Sequence, residues 1–229
     1  MKRLLLLLSL ALLLTVSACG STQEEPEPPA ETVQPSAEAE TAEKPADGES
    51  IVVYFSRVGN TDFPANVDAV SSASVVQTEN GIEGNAQLMA RWMAEETGGT
   101  PMEIQTAEKY PADYTETTNV AKAEQTQNAR PSLASELEGF EGCTAVYLVF
   151  PNWWADLPMA LYTFFEDYDL TGKTLYVSVT HGGSGFSRTL STIEELEPGA
   201  QVVEGVSLRD SDVPGAEDTV RQWVRETQQ

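Results

Sequence analysis

The sequence holds 229 residues, 41% of them apolar, which allows one or two domains. Thirteen basic residues stand against 36 acidic ones, and the formal charge of -23 argues against a DNA- or RNA-binding role, because such a surface repels phosphates at long range. One His and two Cys are too few for a zinc cage of several His and Cys, or for a small disulfide-stapled scaffold.

Lys2 and Arg3 precede Leu4 to Val16, an apolar run broken only by Ser9 and Thr15. It is short for a membrane-spanning helix, which needs about 20 apolar residues, and it has the charged start and apolar middle of a secretory signal. Val16-Ser17-Ala18-Cys19-Gly20 follows, and it resembles the bacterial lipobox. The resemblance implies removal of residues 1–18, a mature chain beginning at a lipidated Cys19, and anchoring at the outer face of the cytoplasmic membrane. Lys2-Arg3 is not a twin-arginine pair, so export by the general secretory route is expected, with any cofactor acquired outside the cytoplasm. Residues 20–50 carry nine acids, one Lys and many Pro, Ala, Ser and Thr, without apolar periodicity. Such a composition cannot offset the entropy of ordering, and 19–50 reads as an extended tether.

The rest, 51–229, is long enough for one well-cored domain. Ile51 to Phe55 reads as a buried strand. Asp62 to Glu83 is polar, contains Pro64 and shows no helical stripe. Asn85 to Thr97 places Met89, Trp92 and Met93 on one helical face and ends at Gly98-Gly99. Met102 to Gln105 is a weak strand, and Asp113 to Asn128 a polar helix closed by Pro131. Ala145 to Phe150 is a strong buried strand. Leu161, Phe164, Phe165 and Tyr168 stripe a helix that Pro158 suits at its first turn. Thr174 to Thr180 and Gln201 to Leu208 read as strands. The last helix carries Ala216, Val220, Trp223 and Val224, with Pro214 near its start. Strands and helices therefore alternate five times, which predicts an α/β fold: a doubly wound five-stranded parallel sheet covered on both faces. Ligands of such sheets bind beyond the carboxyl ends of the strands, so the loops after the first, third and fourth strands are where chemistry is expected.

The first strand runs into Tyr54-Phe55-Ser56-Arg57-Val58-Gly59-Asn60-Thr61. Small hydroxyl residues and Gly after a strand suit a phosphate, through backbone N–H groups and side-chain oxygens. This run resembles the phosphate loop of flavodoxin-like proteins, which bind FMN, and the resemblance extends over 51–229. In that family the helix usually follows the loop directly, whereas here it starts at Gly84-Asn85-Ala86. Two starts therefore compete, Gly59-Asn60-Thr61 and Gly84-Asn85-Ala86. A real helix N-terminus gives an anion most and favours the second. Ser56 contributes in either case, and Arg57 either pairs with a phosphate oxygen or is a surface charge. Ala86 stands where the motif usually has Thr, at the loss of one hydroxyl. An insertion over 62–83 that folded onto the site would act as a lid.

The third strand ends in Pro151-Asn152-Trp153-Trp154-Ala155, followed by Asp156-Leu157-Pro158. This resembles the family's flavin-contacting loop, where an indole can stack on the ring and backbone groups can meet its polar edge. One Trp would face the ring and the other support the loop. The fourth strand ends in Thr180-His181-Gly182-Gly183-Ser184-Gly185, similar to the family's loop beside the flavin, with Gly182 where an acid is common. His181 either supplies a proton or orients the loop, the structural role being the commoner one for a histidine. Ser184 lies three residues from His181 but not within Gly-x-Ser-x-Gly, so a serine hydrolase is disfavoured. Cys143, just before an apolar strand, is expected to be a buried inert thiol.

The resemblance implies an FMN cofactor and electron transfer, or an FMN-dependent oxidoreductase outside the cytoplasm. No Gly-x-Gly-x-x-Gly for a nicotinamide is present, so the expected partner is a membrane redox protein or a small acceptor. The rival reading is a binding module of the same fold that no longer holds FMN.

Overall fold

The computed structural model describes residues 49–64, 74–140 and 142–229. The expected signal segment, the lipidation site Cys19, the tether up to residue 48 and residues 65–73 of the insertion lie outside the described residues.

Strand β1 (Glu49–Phe55) takes in the last two residues assigned from sequence to the tether. A hairpin follows, β2 (Val75–Thr78) and β3 (Gly81–Gly84), paired antiparallel and not expected from the sequence. Then come α1 (Asn85–Thr97), β4 (Pro101–Ile104), α2 (Tyr114–Gln127), β5 (Cys143–Pro151), α3 (Met159–Asp167), β6 (Thr174–His181), α4 (Thr189–Leu196), β7 (Gln201–Arg209), a 3-10 turn at Val213–Gly215, and α5 (Glu217–Thr227). The helix ends follow local chemistry. Asp113 caps α2 by accepting the Glu116 N–H at 2.8 Å, and Gly98 ends α1 in the left-handed region at φ +74°.

The five parallel strands lie in the order β4-β1-β5-β6-β7, as expected for a doubly wound sheet. Alternation along the strands splits the core into two layers. Val53, Phe55, Val146, Leu148 and Phe150 face α3, with Leu161 and Phe164. Val52, Tyr54, Ala145, Tyr147 and Val149 face α1 and α5, with Met89, Met93, Val220 and Val224. In that second layer Tyr147 stacks on Tyr176 at 4.9 Å, and Trp223 meets both edge-on. Each fully buried aliphatic or aromatic side chain contributes about 1.5–3 kcal/mol of burial. A three-layer α/β/α domain results.

The chain leaves β1 toward β4 on one side, and β5 continues toward β6 on the other. The crevice of such a sheet therefore opens above the carboxyl ends of β1 and β5, at Ser56 and Pro151.

Candidate functional site

At the end of β1 the chain turns sharply, with Asn60 N–H donating to Arg57 O at 3.2 Å and Ser56 Oγ accepting the Val58 N–H at 3.1 Å. Asn60 is fully buried and wholly engaged. Its Nδ2 donates to Ser56 O and Ile104 O, both at 2.9 Å, and its Oδ1 accepts from Thr106 N and Thr106 Oγ1 at 2.7 and 3.0 Å. Two donors and two acceptor positions are thus used, so Asn60 clamps β1 to β4 and has no capacity left for a phosphate. Of the two competing helix starts, the first is a structural turn.

The second start lies against Ser56. A Cβ added to Gly84 would sit 2.1 Å from Ser56 Oγ, so only glycine lets the start of α1 approach the end of β1 this closely. The chain thus reassembles a strand–loop–helix junction across an insertion of more than twenty residues. Within it the Gly84 amide is taken by Gln87 Oε1 and the Asn85 amide by Ser74 O, each at 3.1 Å. Of the first-turn amides, those of Ala86 and Gln87 remain without an acceptor inside the helix.

Arg57 is not a surface charge. It is only 2% exposed, and its Nη2 donates to Ala112 O at 2.8 Å and Thr117 Oγ1 at 3.4 Å, at the entrance of α2. The rings of Phe63 and Tyr114 lie 5.1 and 5.8 Å from its guanidinium carbon. Its Nε has no hydrogen-bond partner. Burial draws its pKa below the usual arginine value, with Tyr114 and Asp113 opposing. The side chain stays cationic, and as a buried charge it is screened far less than the acids of the outer surface.

Arg57 lines a chamber of about 430 Å³. One wall is α2, through Tyr114, Thr117, Thr118 and Ala121. The other is Asn152, Trp153, Trp154 and Gly182, with Ser74 between. The loops after β1, β5 and β6 thus meet at one cavity.

The β5 loop is a tight reversal. Trp153 and Asp156 exchange backbone hydrogen bonds at 3.0 and 3.1 Å, and the two residues between them, Trp154 and Ala155, both have positive φ, +55° and +61°. That is the geometry of a type I′ turn, which strongly prefers Asn and Gly, so two L side chains hold it under strain. Asp156 secures the turn from below. Its fully buried carboxylate accepts from Tyr162 Oη at 2.9 Å and Thr192 Oγ1 at 3.0 Å, and pairs with Arg188. Burial and the bond to Asp156 push the Tyr162 phenol up to about 12.

The two indoles divide the work. Trp153 is wedged edge-on against Phe55 and Tyr110, centroids 5.3 and 5.2 Å away, and its Nε1 reaches Ser74 Oγ at 3.3 Å. Trp154 is 49% exposed and latched to α2: its Nε1 donates to Thr118 O at 3.1 Å, and Lys122 Nζ lies 5.2 Å from its ring centre. Asn152 Nδ2 donates to Gly185 O at 2.7 Å, while its buried Oδ1 has no partner.

In the β6 loop His181 Nδ1 accepts the Gly183 N–H at 2.9 Å, which places the proton of the neutral ring on Nε2. Burial and the charge of Arg209 lower its pKa, against Asp210 and Asp212. This bond orients the loop and leaves no partnership between His181 and Ser184 of the kind a serine hydrolase needs. Gly183 has φ +132°, and a Cβ there would meet Arg209 Nη2 at 2.9 Å. Thr180 is buried, and Ser184 keeps its side chain at the exposed rim. Cys143 is a buried free thiol whose pKa burial raises, as expected of an inert cysteine.

Sequence reading missed α2 as a wall of the chamber. The signal was present in Tyr114, Thr117, Thr118 and Ala121, the residues of α2 that line it, but nothing in the sequence said which face of a polar helix would turn inward.

No curated protein matches the chain. Among solved structures, a candidate flavoprotein from Bacteroides uniformis is 27% identical, with 78% of this chain and 98% of that one covered at a TM-score of 0.59. A flavoprotein from Lactobacillus acidophilus, solved in complex with FMN, has the same fold at 14% identity, covering 73% of this chain and 97% of that one, TM-score 0.51. The family model for flavodoxin matches residues 75–227, from the hairpin to the end of α5. With the strand order and the junction at Ser56, that match identifies the chain as a member of the flavodoxin family.

Proposed function

We propose that this protein binds FMN in the chamber between α2 and the β5 and β6 loops and moves electrons outside the cytoplasm, held to the membrane through lipid on Cys19. The carrying observation is the convergence of three loops on one cavity that has aromatic walls and the unpartnered Asn152 Oδ1. The donor set fits the group. At the expected phosphate junction of Ser56, Gly84, Asn85 and Ala86, the Gly84 and Asn85 amides are engaged within the protein, so the phosphate would be met by Ser56 Oγ and the Ala86 amide. The free acceptor Asn152 Oδ1 suits the ring N–H of the flavin, and the backbone of Pro151 to Ala155 and of Thr180, His181, Gly182, Gly183, Ser184 and Gly185 suits its polar edge. Trp154 supplies an exposed face for stacking, with Trp153 as its support.

When bound, FMN supplies reversible one- or two-electron transfer. The chain's own part is to bind, orient and exclude water. The acidic body repels the phosphate dianion at long range, so affinity must come from short contacts at the Ser56 junction and from stacking. The test is direct: the chain is incubated with FMN, desalted and scanned. One equivalent of retained flavin absorption is expected, and a colourless protein would leave the rival reading, a binding module of this fold. Anchoring is tested by mass spectrometry of the N-terminal peptide from membranes, where an unmodified Cys19 refutes it.

A further inference from the structure

Arg57 is more than the flavin site needs. An isolated buried cation costs several kcal/mol unless an anion meets it. Among the described residues no carboxylate forms an ion pair with Arg57: the charge of Asp113 is felt, but its Oδ1 is used in capping α2. Nη2 has only neutral acceptors, and Nε has none. The rings of Phe63 and Tyr114 both lie within cation–π distance of the guanidinium carbon. Its ties to α2 and its aromatic neighbours fix this planar cation at the chamber wall, and a fixed guanidinium suits a planar oxyanion.

We propose that Arg57 makes the α2 side of the chamber a receptor for the carboxylate of a flat aromatic or conjugated acid, held against the flavin. The proposal rests on the flavin reading and adds a ligand class to it. Three features select the class. Beside Arg57 the chamber offers the Tyr114 ring, and a flavin seated on the Trp153–Trp154 turn would face it across the cavity, which suits a flat apolar body between them. The guanidinium is tied to α2, which packs with α3, whereas the Ser56–Gly84 junction belongs to α1 on the other face of the sheet. The folded body is acidic, within a chain of formal charge -23, and it opposes a monoanion half as strongly as a dianion, so a carboxylate enters with less repulsion than a phosphate. The other source of an oxyanion is the phosphate of FMN itself, and the experiment separates the two.

Benzoate and its neutral isostere benzamide are titrated into the FMN-loaded chain, read by flavin absorption and calorimetry, and into the flavin-free chain, read by tryptophan fluorescence. Benzoate is expected to bind the loaded chain at least tenfold more tightly than benzamide, without releasing FMN, and Arg57→Gln is expected to erase that preference. Arg57→Lys, which keeps the charge but not the planar group, should retain only part of it. Affinities for FMN and riboflavin in Arg57→Gln should change by the same factor. A loss confined to FMN assigns Arg57 to the flavin phosphate and overturns the proposal, as does an equal affinity of the unaltered chain for benzoate and benzamide. Release of FMN by benzoate overturns it too. Failure to retain FMN on desalting is a separate result that sinks the flavin reading, and the tryptophan signal then still decides whether the chamber prefers the carboxylate.

Discussion

Replacing Gly84 by Ala probes the junction on which the proposed phosphate site depends. The backbone of Gly84, φ -80° and ψ +137°, is open to any L residue, so the added methyl acts by contact alone. Its Cβ would lie 2.1 Å from Ser56 Oγ, 3.2 Å from Ser56 Cβ and 3.4 Å from Gln87 Cβ. The first distance is untenable. Either Ser56 rotates and releases the Val58 N–H, or α1 withdraws from β1. Overpacking of this kind costs about 1–3 kcal/mol. In a domain of this size each kcal/mol lowers Tm by about 2–4 °C, so thermal unfolding followed by circular dichroism should show a fall of ~5 °C. Either movement also disperses the phosphate donors, and FMN affinity should drop at least tenfold, about 1.4 kcal/mol. The double variant Ser56→Ala/Gly84→Ala removes the clashing oxygen and should regain most of the lost Tm, but not the FMN affinity, because the hydroxyl is gone. If Gly84→Ala melts and binds FMN like the unaltered chain, the reasoning about this junction is wrong.

Other substitutions test neighbouring parts. Ala155 has φ +61°, so Ala155→Gly relieves ~1 kcal/mol of strain, offset in part by chain entropy, and should be neutral to slightly stabilising. Ala155→Val should lower stability by more than 1 kcal/mol on the order of the cost of αL backbone, and equal denaturation midpoints for Gly and Val would remove strain from the argument. Asp156→Ala deletes the acceptor of Tyr162 and Thr192 and should cost ~3 kcal/mol in urea titration, with FMN binding weakened through the loosened turn. Burial raises the Glu103 pKa, and its Oε1 has no partner. The folded state therefore holds this proton more tightly than the unfolded one, and the group's stabilisation is lost as pH rises through its folded pKa. Glu103→Gln should gain on the unaltered chain at pH 8 relative to pH 4, and parallel stability profiles would contradict that sign.

The fold was legible because its strands are buried on both faces and read as continuous apolar runs, as in Ala145 to Phe150, while α1 carries a clean stripe between a helix start and Gly98-Gly99. The hairpin β2–β3 was not legible: its strands are four residues long and pair with each other, and only Val75 and Val76 mark an apolar contact with the core. The site was legible as three loops, since topology alone brings the ends of β1, β5 and β6 together. Sequence favoured Asn85 over Asn60 only through the helix that starts there, because both follow a glycine at a turn. The four hydrogen bonds that consume Asn60 add what the sequence lacked. Arg57 was equally opaque. A lone arginine after a strand is usually solvated, and its burial depends on Phe63, six residues on, and Tyr114, far along the chain, closing around it.

A crystal structure of the full chain grown with FMN addresses the assignment of the chamber itself. The phosphate should lie within hydrogen-bond distance of Ser56 Oγ and the first amides of α1, with the ring against the Trp153–Trp154 turn and its N–H on Asn152 Oδ1. Flavin density at any other surface, or none with α2 closed down on the two tryptophans, would contradict the proposed site.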